Sequence, residues 1–473
     1  MGKLRFILGL WLGKISVPAL KITKHNGTDY PGVLATKICP DFLRYVGHPK
    51  KLVVVTGTNG KTTVNNMLID ILEDNGIKVF SNRSGSNITS GISTVFIKGS
   101  GIFGKLKPCD MAVLEIDERS APKIYPYIKP DYVIITNLSR DSILRNAHPQ
   151  YIADVLTSSV PENTKMILNA EDLISGNVAP SNDRVYFGID KLEEDGVSFE
   201  GLLNDMRICP KCAGKLKYNY LRYNHIGNAA CTDCGFTSPK ADIAITYVDY
   251  NNRAMTVREG EREYLYPLLA TSIFNIYNLI TVITACRELG LSHKQIIASF
   301  AKTAIPESRH SEEKAGNITL ITQMAKEKNA SATTRAFDYV AGKEGPREIL
   351  MMMNCLNDTK HWTENPCWLY DTDFELLNQK GIKKIICAGA RNTDYRLRLL
   401  LAGVPEEKIV CCDDEMEAAG KLSYEDGDTI CLFHGVDSTA LALSVKEKIM
   451  TIAREKSQGK TQAAVLNEAE DRR

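Results

Sequence analysis

The 473-residue chain lacks a charge imbalance, a long apolar run and an internal repeat. Its 58 basic and 57 acidic residues leave a net charge of +1, so nucleic acid is not expected as the main partner. The apolar stretch at residues 6–12 is too short to cross a bilayer, and no small-residue cleavage site follows it. A chain of this length without repeats is expected to form two or three globular domains.

The N-terminal segment, residues 1–50, has two interpretations. Its apolar residues are interrupted by Lys14, Lys21 and Lys24. The first interpretation, which we favour, is a helix packed on the main domain, because amphipathic helices usually turn their apolar face to a core. The second is an apolar, lysine-flanked face that rests on the membrane as a peripheral contact.

The 13 cysteines are many, but six of them lie in or beside apolar runs. They are expected to be reduced core cysteines of a cytoplasmic enzyme, because a free cysteine behaves as a small apolar residue. These six are Cys109, Cys286, Cys387, Cys411, Cys412 and Cys431.

Short β-branched runs alternate with helical patterns twice along the chain, which predicts two α/β domains with mostly parallel sheets. The first set of strands is predicted at residues 52–55, 78–81, 112–116, 132–136 and 166–169, and helices at 273–289 and 292–300. The second set of strands is predicted at 319–321, 348–353, 384–387, 409–412 and 429–433. A break around residues 303–316 separates them, which gives domains at 51–305 and 312–454 and a disordered tail at 455–473.

The most informative stretch is Thr-Gly-Thr-Asn-Gly-Lys-Thr-Thr, residues 56–63, directly after the first predicted strand. Backbone N–H groups of a glycine loop at a helix N-terminus bind phosphate, Lys61 can reach the terminal phosphates, and the Thr62 hydroxyl can hold magnesium. Val55 stands where the strict G-x-x-x-x-G-K-[ST] motif has its first glycine. The prediction is a nucleotide phosphate site of a variant type, and the alternative is a glycine turn that binds nothing. The predicted nucleotide contacts of this loop are Gly57, Thr58, Asn59, Gly60, Lys61, Thr62 and Thr63.

Two C-x-x-C pairs, separated by 18 residues, predict a zinc ribbon at residues 207–237 inserted in the first domain. Four cysteines fill a tetrahedron and leave no open position, so the predicted Zn²⁺ is structural. Two disulfides are the weaker alternative, and His225 between the pairs is expected to be a surface histidine. The predicted ligands are Cys209, Cys212, Cys231 and Cys234.

Glu115 ends a buried predicted strand, where an acid is costly unless it faces a site. It is therefore predicted to hold Mg²⁺ beside substrate phosphates, whereas a helix N-cap role suits Asp117 or Glu118 better. Polar loops follow two other strands, at residues 81–87 and 136–141. In a parallel sheet these loops would share one edge with the glycine loop.

The glycine loop, Glu115, Asn137 and the pair Asn275 and Asn278 resemble the corresponding motifs of the Mur ligases. The four cysteines, the stretch Gly-Thr-Asp-Tyr-Pro-Gly at 27–32 and Asn-Arg-Ser-Gly at 82–85 resemble the MurT branch of that family. The resemblance covers about residues 15–450. It implies a Mur ligase-like central ATP-binding domain, in which Asn275 and Asn278 contact the nucleotide, and a C-terminal α/β domain.

The resemblance also implies a function, which is ATP-dependent amidation by a carbon–nitrogen ligase of the lipid II isoglutaminyl synthase type. The D-glutamate α-carboxylate of the lipid II stem peptide, or of another peptidoglycan precursor, would become an acyl phosphate. Ammonia would come from a GatD-like glutaminase subunit in a heterodimer. Lys61 and magnesium would neutralise the developing charge.

The C-terminal domain departs from the family pattern at residues 356–371. Trp362 and Thr363 replace an Asp-Gly pair, and Asn365 replaces the aspartate that follows it. In the family an aspartate of this domain completes the glutaminase Cys-His pair. The predicted substitutes are Asp358 and Asp371.

Two other functions remain open at this stage. One is a Mur-type ligase that joins an amino acid to an acid substrate. The other is a nucleotide-binding scaffold whose catalysis has decayed, which the altered residues 356–371 suggest and the intact Lys61, Thr62 and Glu115 argue against.

Overall fold

The computed structural model describes residues 2–22, 27–83, 86–140, 148–193, 195–197, 202, 204–303, 310–325, 329–353, 366–435 and 438–470. The described residues divide into two compact units. The first lies within Met1–Ser139, His148–Glu200 and Asn204–Ile305, and the second within Arg140–Ala147, Gly201–Leu203 and Pro306–Arg473.

The first unit is built on a nine-stranded mixed sheet. Its strands are β1 (Leu52–Thr56), β2 (Val79–Ser81), β3 (Met111–Glu115), β4 (Tyr132–Ile135), β5 (Lys165–Asn169), β6 (Arg184–Ile189), β9 (Ile243–Asp249), β10 (Ala254–Glu259) and β11 (Arg262–Pro267). Their order is β11-β10-β9-β6-β5-β4-β1-β3-β2. The strands from β9 to β2 pair in parallel, while β9, β10 and β11 pair antiparallel.

Both faces of this sheet are covered, as the β-branched sequence of β1 requires. Leu52 and Val54 belong to one apolar cluster, and Val53 and Val55 to another on the opposite face, because successive side chains of a strand alternate. The helices of the unit are α1 (Gly2–Ile22), α2 (Tyr30–Ile38), α3 (Lys61–Asp74), α4 (Thr89–Gly99), α5 (Ala121–Ile124), α6 (Pro149–Ser159), α7 (Ile273–Glu288) and α8 (His293–Phe300). The N-terminal segment therefore belongs to the first unit, and α1 packs on it as predicted.

An antiparallel hairpin of β7 (Leu216–Tyr223) and β8 (Ile226–Cys231) is inserted between β6 and β9. We call it the cysteine hairpin, because Cys209 and Cys212 precede β7 while Cys231 ends β8 and Cys234 follows it. The four cysteines thus lie at its open end, and Asn224 and His225 form the turn at the other end.

The second unit contains a six-stranded sheet of order β12-β13-β17-β14-β15-β16, parallel except for the pair β12–β13. Its strands are β12 (His310–Ala315), β13 (Ile318–Met324), β14 (Arg347–Met352), β15 (Ile382–Ala388), β16 (Ile409–Cys412) and β17 (Thr429–His434). Its helices are α9 (Ala330–Ala341), α10 (Trp368–Asp371), α11 (Asn392–Leu401), α12 (Glu415–Ala418) and α13 (Thr439–Glu470). Apolar clusters cover both faces of this sheet too.

All ten strands predicted from the sequence are present, with ends shifted by a few residues, and so are the helices α7 and α8. Two expectations differ from the structure. The break at residues 303–316 contains β12, whose polar sequence His-Ser-Glu-Glu-Lys-Ala forms the edge strand beside β13. The tail predicted to be disordered from residue 455 continues α13 to Glu470, since alanine, lysine, glutamate and glutamine favour helix without an apolar stripe.

Candidate functional site

The glycine loop, Gly57–Gly60, connects the carboxyl end of β1 to the first turn of α3. Gly57 and Gly60 have φ angles of +123° and +87°, which other residues rarely adopt. A Cβ atom would also lie 2.4 Å from the Thr136 Oγ1 atom at Gly57, and 2.2 Å from the Asn278 Oδ1 atom at Gly60. Both glycines are therefore required by conformation and by space.

The loop after β4 holds the glycine loop in place. The Thr58 N–H donates to the Asn137 carbonyl at 2.8 Å, and the Thr58 hydroxyl donates to the Ser139 carbonyl at 3.0 Å. The Thr136 hydroxyl donates to the Asn59 carbonyl at 2.6 Å. The described part of the polar loop predicted at 136–141 thus lies at the same sheet edge as the glycine loop.

Lys61 is held by a carboxylate that the sequence analysis assigned to another role. Its Nζ atom donates to Glu118 Oε1 at 3.0 Å and to the Gly57 carbonyl oxygen. Glu118 also accepts the Gly57 N–H at 2.7 Å and the Thr56 hydroxyl at 3.3 Å. Burial lowers the pKa of Lys61, but the charges of Glu118, Glu115 and Asp117 outweigh it, so that the pKa of Lys61 is raised above its ordinary value.

Of the two acids considered for a helix N-cap, Asp117 takes that role and Glu118 does not. The Asp117 carboxylate accepts the Arg119 N–H at 3.1 Å at the start of a short 3₁₀ helix, residues Glu118–Ser120. The Glu118 side chain instead turns back under the glycine loop and is almost fully buried. A buried carboxylate requires a cation, and Lys61 supplies it. The feature of the sequence that could have indicated this role is Glu118 itself, an acid that lies shortly after Glu115.

Glu115 at the carboxyl end of β3 and Thr62 in the first turn of α3, the two residues predicted to hold magnesium, lie side by side. The Thr62 hydroxyl donates to Glu115 Oε2 at 2.8 Å, and the Asn87 amide donates to Glu115 Oε1 at 2.9 Å. Asn82 exchanges two hydrogen bonds with the Glu115 backbone. A hydroxyl and a carboxylate at this distance are oxygen ligands of the kind that Mg²⁺ takes next to phosphate groups. Thr63 follows in the first turn of α3 and is half-buried.

Asn275 and Asn278 stand in the first turns of α7, which Ser272 caps by accepting the Asn275 N–H. The Asn278 amide donates to Asn275 Oδ1 at 3.2 Å, and the Asn278 Oδ1 atom lies next to Gly60. The structure therefore brings the asparagine pair to the glycine loop, although about 215 residues of sequence separate them.

The four predicted zinc ligands form one cluster, with every Sγ atom within 4.8 Å of the others. The Sγ–Sγ distances are 3.7 Å for Cys209–Cys234 and 3.5 Å for Cys212–Cys231, so the sulfurs are not disulfide-bonded. Four sulfurs about 2.3 Å from one Zn²⁺ lie roughly 3.8 Å apart, so the cluster fits that ion. The N–H groups of Lys211 and Asp233 each donate to the sulfur of the first cysteine of their pair.

The turn of the cysteine hairpin is buried in the first unit, which corrects the expectation of a surface histidine. His225 is fully buried, and its Nε2 atom lies 3.0 Å from Asp172 Oδ1. Asp172 also accepts the Leu138 N–H at 2.7 Å, within the loop that holds the glycine loop. The hairpin turn is thus connected to the glycine loop through Asp172.

Arg222 at the end of β7 anchors the same turn. It donates to both oxygens of Asp195, at 3.0 and 2.6 Å, and to the buried carboxylate of Glu171. It also donates to the Tyr277 hydroxyl at 2.8 Å. Burial raises the pKa of Glu171, and the charge of Arg222 acts against this rise. Sequence reasoning missed this network, because nothing in the local pattern around Arg222 indicates burial.

Of the two predicted acids of the C-terminal region, Asp371 is among the described residues and Asp358 is not. Asp358 and Asn365 lie outside the described residues. Asp371 ends α10, and its Oδ1 atom forms a 3.2 Å ion pair with Arg140 Nη1, a residue grouped with the second unit.

Comparison with solved structures defines the class of the fold. A pseudomurein peptide ligase type C from Methanothermus fervidus aligns with a TM-score of 0.63 and 23% identity, over 87% of this chain and 81% of that chain. The MurF ligase from Thermotoga maritima, solved in complex with ADP, aligns with a TM-score of 0.55 and 13% identity, over 92% and 85%. The protein has the fold of the Mur ligases.

Sequence comparison gives the branch. The Mur ligase middle domain model matches residues 55–200, and the MurT ligase C-terminal model matches residues 327–435. The MurT subunit of lipid II isoglutaminyl synthase (glutamine-hydrolyzing) from Staphylococcus aureus strain COL is 30% identical over 425 residues, 89% of this chain and 93% of that protein. The chain belongs to the MurT family of ligases.

Proposed function

We propose that the protein is the ligase subunit of a lipid II isoglutaminyl synthase and amidates the D-glutamate α-carboxylate of the stem peptide. ATP phosphorylates the carboxylate, and ADP leaves. The nitrogen of ammonia then attacks the acyl carbon of this acyl phosphate, the C–N bond forms, and phosphate departs. Family membership over nine-tenths of the chain supports the reaction class.

The arrangement around the glycine loop is the single observation that carries the catalytic part of this proposal. Gly57 to Thr63 form a loop and helix start that suit the phosphates of ATP. Lys61 is poised 3.0 Å from Glu118 and can exchange this partner for a phosphate oxygen. Positioning and charge neutralisation are the main contributions that such a site makes to phosphoryl transfer.

Two metal ions fit the proposal. Thr62 and Glu115 would hold Mg²⁺, which neutralises charge on the phosphates when bound. Cys209, Cys212, Cys231 and Cys234 would hold a structural Zn²⁺ at the open end of the cysteine hairpin, where the sulfur spacing suits a tetrahedral ion. Asn275 and Asn278 would contact the nucleotide.

The nitrogen source is a separate subunit in this proposal. The name of the S. aureus relative describes a glutamine-hydrolysing enzyme and one of its subunits. We assign the second subunit to a GatD-like glutaminase that forms a heterodimer with this chain. Asp358 and Asp371 are the two candidates for completing the glutaminase Cys-His pair, in the place of the altered Asn365.

The proposed location is the cytoplasm, at the inner face of the membrane that carries the lipid-linked substrate. Among the described residues no helix is both long and apolar enough to cross a bilayer.

The first experiment supplies the purified chain with ATP, magnesium, lipid II and ammonium chloride, and measures amidated stem peptide by mass spectrometry. Lys61→Ala should lower the rate at least a hundredfold, because one preorganised electrostatic contact contributes about that factor. Lys294→Ala, an exposed lysine of α8, serves as the matched control and should leave the rate unchanged.

Two results would contradict the proposal. Turnover with an amino acid, and not with ammonium, would identify a Mur-type amino acid ligase. Equal rates of ATP hydrolysis in the Lys61→Ala variant and the unaltered protein would identify a non-catalytic scaffold.

A second experiment assigns the acid of the C-terminal unit. In the complex with the glutaminase, Asp358→Asn and Asp371→Asn are compared with glutamine or ammonium as the nitrogen source. The residue that completes the glutaminase should lose the glutamine-dependent rate and keep the ammonium-dependent rate. Loss of both rates in one variant would show a role in the ligase reaction or in folding.

A further inference from the structure

Helix α1 has two apolar faces, and the first unit covers only one of them. Phe6, Gly9, Leu10, Gly13 and Ser16 face inward and are buried. The packing is tight, since a Cβ atom at Gly9 would lie 3.0 Å from the Ala35 carbonyl oxygen. The helix is therefore seated firmly on the first unit.

The opposite face of α1 is exposed although it is apolar. Each of its residues lies three, four or seven positions from another member, so that they form one stripe along the helix. A helix on a water-exposed surface normally carries polar residues on this side. The stripe consists of Leu4, Leu8, Trp11, Leu12, Ile15 and Ile22.

A neighbouring turn extends the stripe. The Trp11 indole N–H donates to the Ile102 carbonyl at 2.8 Å, which places the turn at residues 101–104 beside α1. Ile102 and Phe103 are exposed, and Phe103 has 73% of its surface free. We call Leu4, Leu8, Trp11, Leu12, Ile15, Ile22, Ile102 and Phe103 the apolar platform.

The sequence around the platform is basic and has no acids. Residues 1–28 contain five lysines and arginines and no aspartate or glutamate, and residues 98–107 contain three lysines and no acid. The whole chain has a net charge of only +1, so the basic excess is concentrated here. Among the described residues, no acidic side chain forms an ion pair with Lys14, Lys21 or Lys98.

These three lysines line an open pocket of about 520 Å³ next to α1, where the Lys14 ammonium group donates to the Ile97 and Ser100 carbonyls and that of Lys98 to the Gly27 carbonyl. Its lining residues are Lys14, Val17, Pro18, Lys21, Ile97 and Lys98. Burial and the charge of Lys107 lower the pKa of Lys14, and burial and the charge of Lys21 lower the pKa of Lys98. The ammonium groups of Lys21 and Lys98 repel each other, and an anion between them would relieve this repulsion.

We propose that the apolar platform docks onto an anionic lipid bilayer, with α1 lying in the interfacial plane and a lipid phosphate bound between Lys14, Lys21 and Lys98. Interfacial helices have this composition, with apolar residues on one side and lysines and arginines at its border. A protein partner fits less well, since the cores of protein interfaces are depleted of lysine. The inference uses only surface chemistry and does not depend on the amidation reaction.

In the test, the full chain is sedimented with vesicles of phosphatidylcholine alone or with vesicles that also contain about 40% phosphatidylglycerol, which makes their surface negative. Binding is expected to the anionic vesicles and should weaken at high salt, which screens surface charges. The platform variant Leu4→Ser, Ile15→Ser and Phe103→Ser should bind at least tenfold more weakly. The three side chains are 67%, 66% and 73% exposed, so their replacement should not disturb the fold. Leu397→Ser with Leu401→Ser, exposed leucines of α11, is the matched control.

Two further measurements separate the parts of the proposal. Lys21→Gln with Lys98→Gln should weaken anionic binding about fivefold per lysine, because each basic residue near the surface contributes about 1 kcal/mol. In a background with Trp362→Phe and Trp368→Phe, Trp11 is the remaining tryptophan, and brominated lipid should quench its fluorescence.

The proposal is overturned by absence of binding to anionic vesicles, by unchanged binding of the platform variant, or by equal binding to both vesicle types. A platform that instead joins two copies of the chain would appear as a dimer by light scattering, and the platform variant would convert it to a monomer without any vesicle binding.

Discussion

Replacing Glu118 with glutamine removes one negative charge from beneath the glycine loop and almost no volume. The Glu118 side chain is 2% exposed and that of Lys61 is 15% exposed, so solvent screens their interaction weakly. Removing one partner of a buried ion pair costs about 3–5 kcal/mol of unfolding free energy. The glutamine retains an oxygen for the Gly57 N–H, and Lys61 retains the Gly57 carbonyl, so we expect a loss of about 2–3 kcal/mol.

The pH dependence of this loss follows from Lys61. Its folded-state pKa is raised above 10.5, so its contribution to stability is complete below that pH and is lost as the pH rises through the raised pKa. In Glu118→Gln, burial is opposed by fewer charges, and the folded-state pKa of Lys61 falls. Folded Lys61 then loses its proton at a lower pH in the variant than in the unaltered protein. The difference in stability between the two proteins should therefore narrow as the pH rises from the variant's pKa toward the raised pKa of the unaltered protein.

The assay is urea unfolding at several pH values, with Glu288→Gln as the matched control. Glu288 pairs with Lys165 at 2.6 Å at the surface, where an ion pair contributes about 0–1 kcal/mol. Magnesium and ATP should also raise the melting temperature of Glu118→Gln more than that of the unaltered protein, because the phosphates replace the missing charge. A loss no larger than that of the control, or one that widens toward pH 10, would refute the reasoning.

Three other predictions address the glycine loop, the cysteines and the hairpin anchor. Gly57→Ala should weaken ATP binding more than tenfold by calorimetry, because the added Cβ would meet Thr136 and Asn137. Gly76→Ala is the control: Gly76 has a φ of +79° but open space around it, so this change should cost only about 1–2 kcal/mol of stability. Metal analysis should give one zinc per chain, Cys209→Ser should abolish it, and Cys109→Ser should not; zinc retained in Cys209→Ser would exclude the four-sulfur site. Arg222→Met should lower the unfolding free energy by about 3–5 kcal/mol, since two buried carboxylates lose their cation. Without Arg222 the pKa of Glu171 rises further, so the folded state holds more protons than the unfolded chain. In urea unfolding the loss should therefore grow as the pH rises above the ordinary glutamate pKa of 4.5, and a loss that shrinks would contradict the assignment.

The sequence was sufficient for features that depend on local order along the chain. The strand before Gly57, the helix that begins at Lys61 and the spacing of the four cysteines are each contained in a few residues, and all are present in the structure. The neighbourhood of Glu115 and Thr62 was also predictable, because parallel strands bring their carboxyl ends to one edge and β3 pairs with β1.

The sequence was insufficient where the contact depends on how distant segments meet. Glu118 reaches Lys61 only because the chain turns back after β3, and the local pattern equally suits an N-cap. His225 is buried by an insertion whose docking leaves no periodic pattern. The exposed side of α1 was likewise ambiguous, since an amphipathic helix usually turns its apolar face to a core.

The cysteine hairpin is fastened at both ends by different chemistry. Hydrogen bonds of Arg222 and His225 hold its turn, while the sulfur cluster closes its open end. With the proposed Zn²⁺ removed, the segment around Cys209 and Cys212 would be released while the turn stayed inserted. Such a molecule would keep its sheet yet become sensitive to proteases near residues 207–215, so that the metal would govern the lifetime of the fold rather than the rate of catalysis.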